Sequence, residues 1–266
     1  MAYEHITFLI ENNVGTITFN RPDKLNSFNR AMAREVQLVF ESFAANGENA
    51  GKIRALLITG AGRAFCAGQD LAEAAPADKA WADIRSIVHG SYNPIIKYIR
   101  NLEIPVIAAV NGVAAGAGAN IALACDFVIA AENASFLQAF CHIGLIPDSG
   151  GTFFLPRLIG TARATQLMML GEKISAKQAL EWGMIYSVCS PDELLIAATG
   201  LANKLAGMPT KGLGLIKRAL NQSLANNLET QLTIEEELQG LAGSTSDYHE
   251  GVSAFLEKRK PNFTGK

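Results

Sequence analysis

The stretch PVIAAVNGVAAGAGANIALAC, residues 105–125, determines the class of fold. It opens with an apolar run over Pro105–Val110 that is typical of a buried strand, and the run breaks at Asn111 and Gly112. Small residues then predict a helix over Ala117–Cys125. A strand, a turn and a helix therefore follow one another. The same alternation elsewhere in the chain predicts an α/β fold in which helices cover a parallel sheet and functional groups gather at the strands' carboxyl ends.

The sequence before this stretch predicts strands and one helix. Residues His5–Ile10 and Val14–Phe19 are rich in β-branched side chains and predict a hairpin with its tip at 11–13. Either Ser27 or Asn29 can cap the helix that follows. The segment Ala72–Trp81 is rich in Ala, Pro and charge, which predicts a mobile surface loop over 72–80. Further strands are predicted over Ile53–Thr59, Phe127–Ala130, Ser135–Gln138 and Ile185–Cys189.

Length and composition indicate a globular chain with a large core. Hydrophobic residues make up 49% of the 266 residues and charged residues 18%, which excludes disorder and fibrous repeats. From about Asp192 the chain is mainly helical. We therefore expect a core over residues 1–191 and a helical C-terminal region over 192–266 that makes contacts between subunits.

The net charge and the spacing of the cysteines bear on which partners, metals and disulfides the chain can have. The 25 acidic and 23 basic residues leave a net charge of −2, so nothing indicates a basic surface for nucleic acid. The start carries no export signal, and polar residues interrupt the most apolar stretch, so we expect a cytoplasmic protein with no membrane partner. The cysteines are widely spaced and predict neither a metal site nor disulfides: Cys66, Cys125, Cys141 and Cys189.

Familiar catalytic motifs are missing from the sequence. Gly60-Ala61-Gly62 begins like a dinucleotide fingerprint, but the position three after the second glycine holds Phe65. There is no nucleophile elbow, Walker loop or HExxH motif, and His142 has no orienting neighbour in sequence. We therefore expect neither a metal nor a redox cofactor.

Two small-residue segments can present backbone N–H groups. Ala67-Gly68-Gln69 follows a strand, and Ala115–Gly118 follows another strand and opens a helix. Two converging N–H donors, one of them backed by the positive end of a helix, would stabilise an enolate oxygen that forms on a thioester. The alternative is that these glycines only allow close packing of helix and sheet.

Three motifs, in this order and spacing, resemble the enoyl-CoA hydratase/isomerase superfamily, also called the crotonase superfamily. They are Phe65–Leu71, Asn111–Gly118 and Gly144–Thr152, with Asn20–Pro22 and Phe255–Arg259 near the two ends. The resemblance implies a ClpP/crotonase-like spiral of ββα repeats with a helical C-terminal trimerisation region. It also implies a homotrimer or a dimer of trimers that acts on an acyl-CoA, so that coenzyme A enters as part of the substrate.

The resemblance also assigns roles to single residues. The oxyanion hole falls on the backbone N–H groups of Gln69 and Ala117. For coenzyme A it implies a site formed by basic and backbone groups: Lys24, Leu25, Ala67 and Lys258. The run of three basic residues from Lys258 is equally compatible with a solvated surface.

The positions that carry two acids in the hydratases hold Asn120 and Phe140 here. Neither an amide nor a phenyl ring can activate water, so hydration is disfavoured. Asn120 then serves as a neutral hydrogen-bonding residue of the substrate pocket and Phe140 as its apolar wall, or both are packing residues. The one carboxylate that the motif Gly144–Thr152 offers to the cleft is Asp148. A single acid that takes a proton and returns it elsewhere suits isomerisation.

The local sequence allows two roles for Asp148. Apolar neighbours, Phe140, Leu145 and Ile146, would raise the pKa of its carboxyl group and make it a better proton shuttle. Alternatively, Asp148 stands two residues before Gly150 and caps the helix that follows.

Further stretches resemble an isomerase branch of the superfamily that takes part in aromatic-acid breakdown. This likeness implies a substrate whose ring carries an epoxide. A Δ3,Δ2-enoyl-CoA isomerase of fatty acyl chains is the alternative enzyme, and a non-catalytic RNA-binding member is disfavoured by the balanced charge. The stretches are Leu25–Asn29, Gly60–Arg63, Gly68–Leu71, Leu145–Asp148, Leu213–Lys217 and Phe263–Lys266.

Overall fold

The computed structural model of the chain describes residues 3–44, 46–75 and 80–266. The predicted hairpin is confirmed, since β1 (Ile6–Glu11) pairs antiparallel with β2 (Val14–Phe19). Its turn consists of Asn12 and Asn13 with φ angles of 50° and 61°. Asparagine tolerates this left-handed conformation, which a two-residue hairpin of matching twist requires.

A six-stranded sheet forms the main layer, in the order β1-β2-β3-β5-β7-β10. The strands from β2 to β10 run parallel, as the alternation of strands and helices predicts. Their bounds are β3 (Ala55–Gly60), β5 (Val106–Val110), β7 (Phe127–Ala131) and β10 (Ser187–Cys189). Every residue of β5 is buried, which explains its unbroken apolar sequence.

A second sheet of four short strands, in the order β4-β6-β8-β9, lies beside the ends of the first. The strands are β4 (Ala64–Cys66), β6 (Val113–Ala115), β8 (Ser135–Leu137) and β9 (Lys173–Ser175). The list of strands predicted from the sequence lacks β4 and β6. Strands of three small or apolar residues show no alternation that would reveal them. Successive repeats send one strand to each sheet, so the predicted crotonase spiral of repeats is confirmed.

Eleven helices accompany the sheets in the described part of the chain. They are α1 (Arg30–Glu41), α2 (Leu71–Ala74), α3 (Ile84–Ile87), α4 (Asn93–Asn101), α5 (Ala117–Ala124), α6 (Gly151–Leu170), α7 (Ala176–Glu181), α8 (Leu194–Ala206), α9 (Thr210–Ser223), α10 (Leu228–Gly243) and α11 (Ser246–Leu256). The cap of α1 is Asn29, which accepts a hydrogen bond from the N–H of Met32 at 2.8 Å, and not Ser27. Within the predicted loop over 72–80, residues 72–74 belong to α2, whereas 76–79 lie outside the described residues.

Helix α8 joins the core although it lies beyond residue 191. It packs against β3, β5 and β7, and its Ala198 and Ala202 are fully buried. The region from α9 to α11 is helical, as expected for the C-terminal part. Within residues 3–44, 46–75 and 80–266, every helix is too short or too polar to cross a membrane.

Candidate active site

The loop after β4 presents the N–H of Gln69. The N–H of Phe28 donates to the carbonyl oxygen of Gly68 at 2.7 Å, and the N–H of Asp70 donates to the carbonyl oxygen of Phe28 at 2.8 Å. Gly68 C=O and Gln69 N–H belong to one trans peptide and point in opposite directions. The Gln69 N–H is therefore directed away from Phe28, and it has no acceptor in the described chain.

The second N–H belongs to Ala117, the first residue of α5. The first N–H groups of a helix have no acceptor inside the helix, and they lie at the positive end of its dipole. Gly116 turns the chain into the helix with φ 53° and ψ −127°, and its own N–H donates to Leu137 O at 2.8 Å. The N–H of Ala117 has no backbone acceptor among residues 3–44, 46–75 and 80–266.

Glycines bring the two donors together. A Cβ atom on Gly68, whose φ is 93°, would lie 3.7 Å from the backbone nitrogen of Ala117. A Cβ atom on Gly118 would lie 2.4 Å from the carbonyl oxygen of Cys66, closer than real atoms approach. The close packing that these glycines allow therefore brings the segment of Gln69 next to the segment of Ala117.

The third element of the site is the segment from the 3-10 turn Ala139–Ile143 to α6, which carries Asp148. Its carboxylate Oδ1 accepts a hydrogen bond from Ser149 Oγ at 2.8 Å. The cap of α6 is Gly150, and no side chain caps that helix, so the alternative role of Asp148 as an N-cap is wrong. The second carboxylate oxygen of Asp148 has no hydrogen-bond partner in the described residues.

Burial raises the pKa of the Asp148 carboxyl group, and the hydrogen bond from Ser149 lowers it in part. The carboxyl group borders a cavity of about 400 Å³ whose walls are mostly apolar: Ile84, Val88, Leu145, Ile146 and Pro147, with Arg85, His89 and Asn93. Leu145 and Ile146 line this cavity as the sequence predicts, whereas Phe140 does not. A carboxyl group with a raised pKa in an apolar wall is suited to proton transfer near neutral pH.

Sequence analysis misses two polar residues of this cavity, Arg85 and His89. Both are exposed, and neither side chain has a hydrogen-bond partner within the part of the chain that the structure describes. They lie four residues apart on consecutive helical turns, so that they share one face of the segment. This four-residue spacing is the feature of the sequence that could have indicated the pair. His89 and Arg85 are therefore the ionisable side chains that share the cavity with Asp148.

Asn120 holds the Asp148 segment in place. It is 0% exposed, and its Nδ2 donates to the backbone carbonyl oxygen of Asp148 at 2.8 Å. Its Oδ1 accepts from Gln138 Nε2, also at 2.8 Å. Both the nitrogen and the oxygen of the Asn120 amide are therefore hydrogen-bonded within the protein. Gln138 Oε1 is buried without a partner among the described residues.

Phe140 lies beside Gly116, at the N-terminus of α5. Its ring atoms would be 3.7 and 3.8 Å from a Cβ atom on Gly116, the residue before Ala117, and it is 7% exposed. The ring therefore forms an apolar boundary at the N-terminus of α5, next to the N–H of Ala117.

Tyr92 is a buried residue of the site that sequence analysis misses. Its hydroxyl group donates to Gln69 Oε1 at 2.7 Å, and the residue is 1% exposed. Burial raises the pKa of the Tyr92 hydroxyl well above its ordinary value, and the negative charge of Asp148 adds to this effect. Residues 82–104, which surround it in the sequence, match none of the catalytic or family motifs.

The structure connects some of the residues expected to bind coenzyme A. The N–H of Ala67 donates to Leu25 O at 3.0 Å, so Leu25 lies beside Ala67, which is two positions before Gln69 in the loop after β4. Lys24 is exposed at the end of the 3-10 turn Pro22–Lys24. Lys258 is exposed after α11 with a φ of 54°. No hydrogen bond or ion pair links either lysine to another described residue through its side chain.

Comparison with known proteins places the chain in a family. The family model described as enoyl-CoA hydratase/isomerase matches residues 9–266. The chain belongs to this family. Among solved structures, an enoyl-CoA hydratase from Bacillus anthracis superposes with a TM-score of 0.90 at 35% identity, covering 99% of this chain and 100% of that one.

Curated relatives include both isomerases and hydratases. The 1,2-epoxyphenylacetyl-CoA isomerase of Escherichia coli K12 is 51% identical over 265 residues, which is 99% of each chain. The trans-2-decenoyl-[acyl-carrier-protein] isomerase of Streptococcus mutans is 38% identical over 100% of both chains. A crotonyl-CoA hydratase of Syntrophomonas wolfei is 35% identical, again over 100% of both chains. Family membership therefore does not distinguish between isomerisation and hydration as the reaction of this protein.

Proposed function

We propose that this protein is an acyl-CoA isomerase that converts ring-1,2-epoxyphenylacetyl-CoA to oxepin-CoA in phenylacetate catabolism, a 2-(1,2-epoxy-1,2-dihydrophenyl)acetyl-CoA isomerase. One observation carries the proposal. Among the described residues that line the apolar cavity, Asp148 is the single carboxylate, with a free oxygen and a raised pKa, while Asn120 and Phe140 stand where hydratases have acids. The 51% identity with an isomerase of this specificity supports the choice of substrate.

The chemistry that we propose needs two devices. The N–H groups of Gln69 and Ala117 form an oxyanion hole for the thioester oxygen, where negative charge develops as a proton leaves the α-carbon. Asp148 removes that proton and returns it at another carbon of the same substrate. In the epoxide, the carbon–carbon bond between the two epoxide carbons also opens, and its electrons rearrange within the ring to give the seven-membered oxepin with no atom gained or lost. No water enters the product. Asn120 cannot activate water, because its amide does not titrate and both of its ends are engaged.

Substrate binding completes the proposal. The apolar cavity walls enclose the acyl group, Phe140 forms an apolar boundary beside the N–H of Ala117, and Asn120 supports the segment that carries Asp148. Lys24, Leu25, Ala67 and Lys258 hold coenzyme A, with the lysines placed to contact phosphate groups. The protein works in the cytoplasm as a homotrimer or a dimer of trimers and has no metal or redox cofactor.

A Δ3,Δ2-enoyl-CoA isomerase acting on fatty acyl chains is a second candidate. It uses the same oxyanion hole and the same single acid, and the apolar cavity also suits an alkyl chain. The 38% identical isomerase of a decenoyl thioester favours it. The two candidates differ in what fills the cavity, so the choice of substrate distinguishes them.

The test is turnover of purified protein with 1,2-epoxyphenylacetyl-CoA and, in parallel, with a 3-enoyl-CoA, followed by absorbance. We expect faster turnover of the epoxide, and a 10²–10⁴-fold lower kcat in Asp148→Asn. The control is Asp192→Asn, the same change at an exposed aspartate in the 3-10 turn before α8, which should keep full activity. Near-normal turnover by Asp148→Asn would remove the proposed shuttle.

A further inference from the structure

Tyr92 lies at an irregularity of the backbone that faces the oxyanion loop. Residues Val88–Tyr92 form one π-helical turn between α3 and α4. Single π turns inside helices are often found at functional sites, because they redirect a side chain at a cost in backbone regularity. Here the side chain is a tyrosine that is 1% exposed and whose hydroxyl group reaches Gln69.

Tyr92 contacts both groups that set the direction of the Gln69 N–H. Its hydroxyl group donates to Gln69 Oε1 at 2.7 Å, and its ring lies 5.9 Å from that of Phe28, centroid to centroid. Phe28 in turn binds the carbonyl oxygen of Gly68, the other end of the peptide that carries the Gln69 N–H. Tyr92 therefore contacts the side chains of both residues that hold this peptide: Gln69, which carries its N–H, and Phe28, which binds its carbonyl oxygen.

The other contacts of the Gln69 amide are weaker. Its Nε2 lies 3.3 Å from Asp70 O and 3.5 Å from Glu73 Oε2, near the limit for a hydrogen bond. The bond from Tyr92 is thus the short one that fixes this side chain. We propose that Tyr92 is a positioning residue of the reaction, which holds Gln69 so that its N–H stays directed at the thioester oxygen. This inference rests on the proposed oxyanion hole.

The hydroxyl group is suited to this role because it keeps its proton. Burial and the nearby negative charges raise the pKa of Tyr92 well above the ordinary value. It therefore remains a neutral donor over the whole range in which the enzyme works, and it does not compete with Asp148 as a base.

The test compares Tyr92→Phe, Gln69→Met and the double variant. Tyr92→Phe keeps the ring beside Phe28 and removes only the donor, and Gln69→Met removes the acceptor but keeps the backbone N–H. We expect kcat to fall about tenfold in each single variant with KM changed less than twofold, because a donor that is misdirected costs less than one that is lost. The double variant should lose no more than the single ones, since both remove the same contact.

A matched control is Tyr98→Phe. Tyr98 stacks on Phe40 with centroids 5.4 Å apart, and its hydroxyl group has no hydrogen-bond partner in the described part of the chain. The Tyr98→Phe variant should therefore have the same kcat as the unmodified protein. An unchanged kcat in Tyr92→Phe, or independent losses that multiply in the double variant, would overturn the inference. Should Tyr92→Phe fail to fold, Gln69→Met alone must show the loss.

A second readout separates this inference from the proposed reaction. The probe is acetoacetyl-CoA, which has neither an epoxide nor a carbon–carbon double bond to isomerise. Its enolate, which an oxyanion hole stabilises, absorbs in the near ultraviolet. We expect the unmodified protein to increase the enolate band and Tyr92→Phe to increase it several-fold less. A protein that isomerises neither substrate but shows this difference would refute the proposed reaction and retain the role of Tyr92. Equal bands in the two proteins would refute the role of Tyr92.

Discussion

The carboxyl group of Asp148 receives one hydrogen bond and borders an apolar cavity, and these two features act on its pKa in opposite directions. Burial raises the pKa by disfavouring the charged form, and Ser149 Oγ lowers it by donating to that form. For a base, activity rises with pH as the group loses its proton. The acid limb of the pH profile therefore reports on this residue directly.

Ser149→Ala should move the acid limb of the kcat/KM profile to higher pH. The change removes the hydrogen bond that stabilises the carboxylate, so the pKa of Asp148 rises further. A full pH profile of both proteins with the same substrate measures the shift. Ser135→Ala, at another buried serine without a bond to Asp148, serves as the control and should leave the profile unchanged. A shift to lower pH would contradict the assignment of the limb to Asp148.

Asp148→Asn should raise the thermal stability at neutral pH while it lowers kcat about 10²–10⁴-fold. A carboxyl group whose pKa is raised on folding binds more protons in the folded state, so its contribution to stability falls as pH rises above the ordinary carboxyl pKa. The amide carries no charge and can still accept from Ser149. Melting temperatures across a pH series test this. The gain should disappear in acid, where Asp148 is protonated in both states, and a loss of stability at neutral pH would count against a raised pKa.

Single residues of the site differ in how far sequence reveals them. Asp148 follows from its motif together with the absence of acids at 120 and 140. Tyr92 does not, because its role depends on a hydrogen bond to a residue 23 positions earlier in the chain. Asn120 is identified as a polar residue of the site, yet its bonds to Asp148 and Gln138 emerge only from the packing of α5 against its neighbours.

At the scale of elements, the spacing between α5 and β4 sets the distance between the two N–H groups of the proposed oxyanion hole, those of Gln69 and Ala117. Gly118 allows this spacing, since a Cβ atom there would lie 2.4 Å from Cys66 O and 2.7 Å from Cys66 Sγ. The carbonyl oxygen is backbone and cannot move aside by changing rotamer. Any side chain at this position must push the helix away from the strand.

Gly118→Ala should therefore lower kcat about 10²–10³-fold, the loss expected when one oxyanion donor is displaced, and cost about 1–3 kcal/mol through overpacking. Steady-state kinetics and urea unfolding measure the two effects. Gly200→Ala in α8 is the matched control, because a Cβ atom on Gly200 meets nothing within 4 Å. It should leave kcat unchanged and stabilise the helix by about 0.5–1 kcal/mol. Equal kcat in both variants would show that the donors are not set by this contact.

Elements with a strong local pattern follow from the sequence, and short ones do not. The hairpin, β5, α5 and the strand β7 all have the apolar runs or turn residues that identify them. The second sheet has strands of three residues each, which carry too little pattern to be distinguished from loops. Its existence depends on pairing between distant segments, such as β4 with β6 and β6 with β8. The second sheet is therefore indicated by the resemblance of the motifs to the family and not by the periodicity of the sequence.

At the scale of the whole molecule, the C-terminal helices expose large apolar side chains. On α9, α10 and the turn between them these are Ile216, Leu220, Leu224, Leu228 and Leu232, each more than half exposed. A single copy in water would leave this surface without cover, and such surfaces commonly form contacts between subunits. The predicted region over 192–266 supplies these side chains.

The protein should therefore sediment as a trimer or as twice a trimer, and Leu228→Glu together with Leu232→Glu should shift it to smaller species. Charged side chains in an apolar contact cost several kcal/mol when left unpaired. Analytical ultracentrifugation at several concentrations provides the measurement. Leu9→Glu, at an exposed leucine of β1, should leave the sedimentation unchanged. An unmodified protein that sediments as a monomer would refute the predicted role of this region.

The measurement that tests the central claim most directly is the mass of the product formed in water enriched in ¹⁸O. A single acid that moves a proton within the substrate predicts a product of unchanged mass with no ¹⁸O, whether 1,2-epoxyphenylacetyl-CoA or a 3-enoyl-CoA is supplied. A product that gains one labelled water would show that the site activates water, and it would contradict the assignment of Asp148 as a proton shuttle of an isomerase.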